Sequence, residues 1–265
     1  PLLLSGILDT IFRNIYNIII GRFYPIQTLA FFERARSFQE YPSMAITGIA
    51  AKVSYPVLSK MQTEPGWSEQ FFKRLIQLGF FLNAPLMMIL AGVATPLITL
   101  ILGNAWLDSV PYFQILCLVS IFYPHHAFNL NLLKVNGRSD LFLRVEVVKK
   151  AMVLFIVVLS VPFGLKAMLW GMVINSVLAL YINIYYTRGM SQYRFRDQLS
   201  DLLPDLFLAL LSYGTCTLIC QGLSYWTPLP LLLLSSASGL LVYIGLKMVF
   251  FKTQALHQLS ALIHS

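Results

Sequence analysis

The chain has 265 residues, of which 57% are hydrophobic and 11% charged, and its mean hydropathy is +0.71. A soluble domain carries about a quarter charged residues, so a soluble globular fold is excluded. The net charge of +8 would suit a nucleic-acid partner. The basic residues, however, fall in short clusters between apolar runs, the positive-inside distribution of a membrane protein, and no nucleic acid is expected.

Apolar runs of roughly 20 residues recur along the whole length, as bilayer-spanning helices require. They lack the two-residue alternation of barrel strands, and a helix satisfies its own backbone in lipid. The expected fold is an all-α polytopic membrane protein with about eight transmembrane helices. The pattern predicts them over 2–23, 29–55, 71–102, 111–134, 141–161, 166–186, 203–226 and 231–251.

The first predicted helix, "PLLLSGILDTIFRNIYNIIIGRF", is anomalous. Ser5, Asp9, Arg13 and Asn17 recur every four residues and share one slowly drifting face, flanked by Thr10 and Asn14. Charges at bilayer depth are costly and usually face a bundle interior or a watery cavity. Asp9 and Arg13 can pair across one turn, either as a structural staple or as part of a cavity wall. The length of the polar stripe favours the wall. The second helix repeats the theme: Glu33, Arg36, Ser37, Glu40 and Thr47 share a broad face, with Arg34 just off it and Lys52 further along. Pro42 interrupts its hydrogen-bond ladder near the middle. These two helices are expected to line a water-filled path.

In the fourth helix, "FYPHHAFNLN" places Pro124, His125, His126, Asn129 and Asn131 near mid-bilayer. Adjacent histidines point about 100° apart on a helix, so one at most faces a given site squarely. A proton relay or a phosphate contact competes with packing beside a kink. The last two helices show almost nothing polar in their cores beyond Ser, Thr and Gln221, and are expected to face lipid. Cys117, Cys216 and Cys220 lie in apolar segments as small fillers. Cys216 and Cys220 share a helix face, but no His or carboxylate stands at ligand spacing, so neither metal nor cofactor is expected.

The loops alternate in character. One side holds Lys60, Lys73, Arg74, Lys134, Arg138, Arg144, Lys149, Lys150, Arg188, Arg194, Arg196, Lys247 and Lys252; the other holds Arg22, Arg34, Arg36 and Lys166. The excess places the first side, and both ends of the segment, in the cytoplasm. No connection is long enough for a catalytic domain, and no phosphate-binding glycine loop, zinc signature or Ser/His/Asp arrangement is present. The chain is therefore not expected to be an enzyme. It begins with Pro1 inside a spanning pattern, without a leader, and is expected to be the C-terminal half of something larger.

Four stretches carry a family resemblance: "FFERARSFQEYP" (31–42), "SYPVLSKMQTEP" (54–65), "VNGRSDLFLRVEVVKK" (135–150) and "FGLKAMLWGMVINSVLALYIN" (163–183). They resemble bacterial Wzx-type polysaccharide flippases of the multidrug/oligosaccharidyl-lipid/polysaccharide exporter superfamily. The resemblance implies about fourteen helices in two six-helix lobes plus an appended pair. On that map this chain is equivalent to helices seven to fourteen, with a transport lobe at 1–186, a cytoplasmic linker at 187–202 and two peripheral helices in 203–265.

The implied function is to flip undecaprenyl-pyrophosphate-linked oligosaccharides from the cytoplasmic to the periplasmic leaflet of the inner membrane. These units feed O-antigen, capsule or exopolysaccharide synthesis. The implied mechanism is alternating access between lobes. On this reading Arg13, Arg34, Arg36 and Lys52, with Asn14 and Asn17, are the substrate-cavity candidates. Asp9, Glu33, Glu40, His125 and His126 are the charge-balancing or coupling candidates. Implied partners are the lipid-linked oligosaccharide, the bilayer, the missing N-terminal lobe, and the polysaccharide polymerase with its chain-length machinery.

The alternatives are a multidrug or cation antiporter and a lipid II flippase of the same superfamily. A membrane oligosaccharide polymerase would need a large periplasmic loop with catalytic residues. A purely structural subunit would not need the polar first pair of helices.

Overall fold

The computed structural model describes residues 12, 14–60, 67–191 and 193–250. Ser5, Asp9, Thr10 and Arg13 lie outside the described residues. Four helices come first: α1 (Ile15–Phe23), α2 (Ile26–Lys60), α3 (Trp67–Gly92) and α4 (Ala94–Leu102), then a 3₁₀ turn at Asn104–Ser109. They are followed by α5 (Val110–Ser120), α6 (Tyr123–Val135), α7 (Ser139–Ser160), a second 3₁₀ turn at Val161–Phe163, α8 (Leu165–Thr187), α9 (Phe195–Gly222) and α10 (Pro228–Phe250).

Every predicted span contains described helix. Among the described residues, five helical stretches are long and apolar enough to cross a membrane: Gln70–Gly92, Asn104–Val135, Leu165–Thr187, Phe195–Gly222 and Pro228–Phe250. α2 and α7 are long enough but carry the charges of Glu33, Arg34, Arg36 and Glu40, and of Arg144, Glu146, Lys149 and Lys150. The chain is thus a multi-pass α-helical membrane protein, and five of the expected spans meet the apolar-length criterion among the described residues.

Two predicted helices are each broken into two, and proline explains both breaks. Proline cannot donate to the carbonyl four residues back and crowds it. Pro96 frees the carbonyl of Gly92, and the helix breaks at Val93, between α3 and α4. Pro124 frees the carbonyl of Ser120, and α5 gives way to α6 across Ile121 and Phe122. In the second case the freed carbonyl finds a new donor. Asn83 Nδ2, fully buried on α3, donates to Ser120 O at 2.8 Å and to Ile121 O at 3.1 Å. By contrast, α2 runs as one helix through Pro42.

α3 lies at the centre, packed against α2, α5, α6, α9 and α10. It buries Phe72, Ile76, Phe80, Ala84, Met87, Met88 and Ala91. Gly79 lets α6 come close: a Cβ there would stand 2.6 Å from the Phe128 ring. The outward faces of α7 to α10 expose large apolar side chains, among them Phe155, Val158, Ile174, Leu218, Leu241 and Val249. In water such a surface would be an aggregation hazard; against lipid it is the expected solvent-facing composition.

The turns use glycine where the chain needs φ > 0. Gly137 (φ 67) ends α6, with Arg138 N donating to Leu133 O at 3.0 Å. Beyond it Arg138 forks onto both Asp140 oxygens at 3.0 Å and holds that carboxyl down at about 2.

The segment joining α8 to α9 is docked onto the bundle. Tyr193 is buried and its hydroxyl donates to Asp201 at 2.7 Å, while Lys73 of α3 pairs with the same carboxylate at 2.8 Å. Burial, then the hydrogen bond to Asp201, pushes the Tyr193 phenol well above its ordinary range. α9 and α10 also differ from the uniformly apolar reading of the sequence. Asp205 on α9 and Lys247 on α10, each 1% exposed, form a buried ion pair, and the Tyr243 hydroxyl donates to Asp205 Oδ1 at 3.0 Å.

A candidate basic cavity between the helices

The polar face of α2 is held in register by its own helix. Arg36 Nε donates to Glu40 Oε1 at 2.7 Å, and Glu33 lies 4.0 Å from the same guanidinium on the other side. These are i,i+4 and i,i+3 neighbours. Ser37 returns its hydroxyl to Glu33 O at 2.9 Å. Arg34 diverges from this cluster: it is exposed, with its guanidinium 5.6 Å from the centre of the Trp106 ring. Lys52 is exposed further along the same helix, and Asn14 is exposed at the start of α1. Asn17 is half-buried, with its Oδ1 fully enclosed. Gln39 and Ser43 are buried on α2, and Gln39 Nε2 and Ser43 Oγ find no hydrogen-bond partner among the described residues.

A cavity of about 580 Å³ lies beyond the Arg36 cluster, lined by residues of α1, α5, α6, α7 and α8 and, among the described residues, by none of α2. Tyr16 of α1 and Tyr123 of α6 line it, and Tyr123 is within electrostatic reach of Arg36 and Glu40. Beyond the tyrosines, the wall holds His126, Lys134, Glu146, Lys149, Lys150, Asn175 and Ser176, closed by Phe12, Phe142, Val153 and Met172. Three lysines face one carboxylate. Glu146 pairs with Lys149 at 2.8 Å. Lys134 lies 4.9 Å from the Phe142 ring centre and Lys150 5.5 Å from that of Phe12. Cation–π contact of this kind favours a partly dehydrated ammonium. The cavity is therefore positively biased, with amide, hydroxyl and phenol groups for hydrogen bonding.

The two histidines turn to different neighbours. His126 faces the cavity: Asn183 Nδ2 donates to its Nδ1 at 2.9 Å, so its proton sits on Nε2, 3.4 Å from Ser176 Oγ. The Ser176 hydroxyl itself donates to Val119 O at 2.8 Å. His125 is buried toward α9. Asn129 Nδ2 donates to its Nδ1 at 3.0 Å, and its Nε2–H donates to Gln198 Oε1 at 2.6 Å. Thr187 donates to Asn129 Oδ1 at 2.9 Å and completes the chain from α8 to α9. Both rings are thereby held in the neutral Nε2–H form, since each Nδ1 is used as an acceptor.

The structure thus brings Arg36, Glu33 and Glu40 together and sets His126 in an adjoining cavity. It places Arg34, Lys52 and His125 elsewhere. The lysines of the cavity, with Glu146, Tyr123 and Asn175, were not legible as site residues. In sequence Lys134, Lys149 and Lys150 read as topology charges near helix ends. The available signal was that Glu146, Lys149, Lys150 and Val153 recur at three- and four-residue spacing along one face of α7.

Comparison with known proteins adds an independent line. Residues 1–111 match a family model described as polysaccharide biosynthesis protein. The chain is 28% identical over 137 residues to the teichuronic acid biosynthesis protein TuaB of Bacillus subtilis (strain 168), covering 52% of this chain and 28% of that protein. It is 21% identical over 211 residues to the lipopolysaccharide biosynthesis protein WzxC of Escherichia coli (strain K12), covering 78% and 42%. A membrane protein of the cps region of Klebsiella pneumoniae is 24% identical over 181 residues, covering 68% and 36%. In each case the matched region spans less than half of the relative's length. No solved structure matches.

Proposed function

On the premise that this chain is a relative of the Wzx-type polysaccharide-biosynthesis proteins, as its 31–65 and 135–150 blocks imply, we propose that it forms one lobe of a lipid-linked oligosaccharide flippase. The cargo is an undecaprenyl-pyrophosphate-linked repeat unit, moved across the bacterial cytoplasmic membrane for surface-polysaccharide assembly. The observation that carries this reading is the open cavity between apolar helices that is lined by three lysines and one carboxylate. A pyrophosphate and a hydrated sugar cannot enter hydrocarbon unaided, because burying an unpaired charge costs many kcal/mol. Lysine ammonium groups supply charge-assisted hydrogen bonds to phosphate oxygens. Asn175, Ser176 and the two tyrosines supply neutral partners for hydroxyls. Alternating access would come from rocking of this lobe against a second one.

The same cavity argues against a cation antiporter, whose substrate the lysines would repel. Ser176 gives its proton to a backbone carbonyl and accepts from His126, so the imidazole is not placed as its base. The test is complementation of cells lacking the full-length gene. Lys149→Ala/Lys150→Ala in the full-length protein should insert normally yet leave the undecaprenyl-pyrophosphate repeat unit accumulated on the cytoplasmic side, read by mass spectrometry of lipid extracts. Wild-type export by this variant would remove the cavity from the mechanism.

A further inference from the structure

A second cavity, of about 870 Å³, lies at the opposite end of α8 from the Val161–Phe163 turn. It is lined by Tyr181, Tyr185 and Arg188 at the end of α8 and by Arg194, Phe195 and Asp197 at the start of α9. α8 and α9 both lie in apolar spanning stretches, Leu165–Thr187 and Phe195–Gly222. The cavity therefore opens where two spans leave the hydrocarbon. Its charge is positive: two guanidinium groups against one carboxylate, and that carboxylate is turned onto its own helix, accepting from Arg194 N at 3.3 Å. The floor is aromatic. Arg188 stacks 4.1 Å from the Tyr185 ring centre, and Tyr181 meets Phe195 edge-on at 5.5 Å.

The surface beneath the cavity matters as much as the cavity. Ile174, Leu178, Tyr181, Tyr185 and Arg188 recur at three- and four-residue spacing and share one face of α8. All five are exposed. Ile174 and Leu178 also border an apolar groove between α7 and α8 with Phe155 and Leu159. The fourteen steps from Ile174 to Arg188, which caps the end of α8, rise roughly 21 Å. That matches one leaflet with its headgroups, about half of the 40–45 Å total thickness. The face therefore reads, in order, as apolar groove, aromatic belt and paired arginines over the depth of a single lipid.

We propose that this face of α8 binds one anionic glycerophospholipid, with its phosphodiester between Arg188 and Arg194, its glycerol against Tyr181 and Tyr185, and an acyl chain along Leu178 and Ile174. A guanidinium forks onto a phosphodiester through two parallel hydrogen bonds. The aromatic rings sit at headgroup depth, where Tyr is enriched. This site is distinct from the basic cavity at His126 and does not depend on flippase activity.

The test is native mass spectrometry of the full-length protein, exchanged into detergent with equal amounts of phosphatidylglycerol and phosphatidylcholine. The wild type should retain phosphatidylglycerol preferentially, and Arg188→Ala/Arg194→Ala should lose at least about tenfold of that preference, as removal of two interfacial basic residues implies. Arg188→Lys/Arg194→Lys should keep most of it, which separates loss of charge from loss of fold. Equal retention of the two lipids by the wild type, or an unchanged preference in the double alanine variant, would overturn the proposal. Displacement of the bound lipid by soluble glycerol phosphate at matched concentration would overturn it too, by showing a site for free phosphate that makes no use of the acyl groove.

Discussion

Asp205 and Lys247 stand 42 residues apart on α9 and α10 and meet in a region closed to solvent. The ion pair is not isolated. Tyr243 Oη reaches both Asp205 Oδ1 at 3.0 Å and Phe81 O at 3.3 Å, and Lys247 Nζ lies 4.6 Å from the Phe81 ring centre. Tyr243 and Lys247 thus tie α10 to both α9 and α3. Removing one member leaves an uncompensated buried charge, which costs about 3–5 kcal/mol, whereas replacing both by apolar residues is often neutral. Lys247→Met alone should therefore sharply lower the thermal stability of the purified full-length protein in detergent. Asp205→Leu/Lys247→Met should recover most of that loss. A double variant as unstable as the single one would show that the pair stabilises beyond its charge balance.

At the scale of elements, the break between α5 and α6 shows what a sequence carries and what it hides. Apolar length made the helices legible, and Pro124 made a kink legible. The partner of the freed Ser120 carbonyl was not legible, because Asn83 lies 37 residues away on another helix. The same holds for Asp205 and Lys247: each looks like a helix-end charge until packing brings them together. Asn83→Leu should cost about 1–3 kcal/mol through the unpaired buried carbonyls. Adding Pro124→Ala should recover part of that, since an N–H at 124 can again reach Ser120 O; full additivity of the two changes in melting temperature would refute the link. Small residues act similarly between helices. A Cβ at Gly239 of α10 would stand 2.5 Å from Cys216 Sγ and 3.2 Å from Ile89, whereas one at Gly245 would meet nothing within 4 Å. Overpacking costs about 1–3 kcal/mol, so Gly239→Ala should destabilise and Gly245→Ala should not, as read by detergent melting.

For the whole molecule, the central question is whether the cavity acts through its summed charge or through one particular lysine. The polar face of α2 was legible from its four-residue spacing. The neighbouring cavity, from Tyr16 and Tyr123 to the lysines of α6 and α7, was not, since five separate helices supply its wall. Glu146 and Lys149 offer a way to separate the two possibilities, because they pair at 2.8 Å and each lines the cavity. Lys149→Glu reverses one charge and leaves two acids facing two lysines. It should abolish export of the repeat unit while the protein still inserts, as judged by membrane fractionation. The exchange Glu146→Lys/Lys149→Glu restores the original balance with the positive charge moved about one helical turn. If the cavity attracts a pyrophosphate through its overall field, as focused potentials do in clefts, the exchange should bring export back to within about tenfold of wild type. If Lys149 grips the phosphate directly, the exchange should export no better than Lys149→Glu alone, because a hydrogen bond does not survive displacement of its donor by roughly 5 Å, one helical pitch. Undiminished export by Lys149→Glu would count against both mechanisms and return the search to the acidic and basic groups of α2.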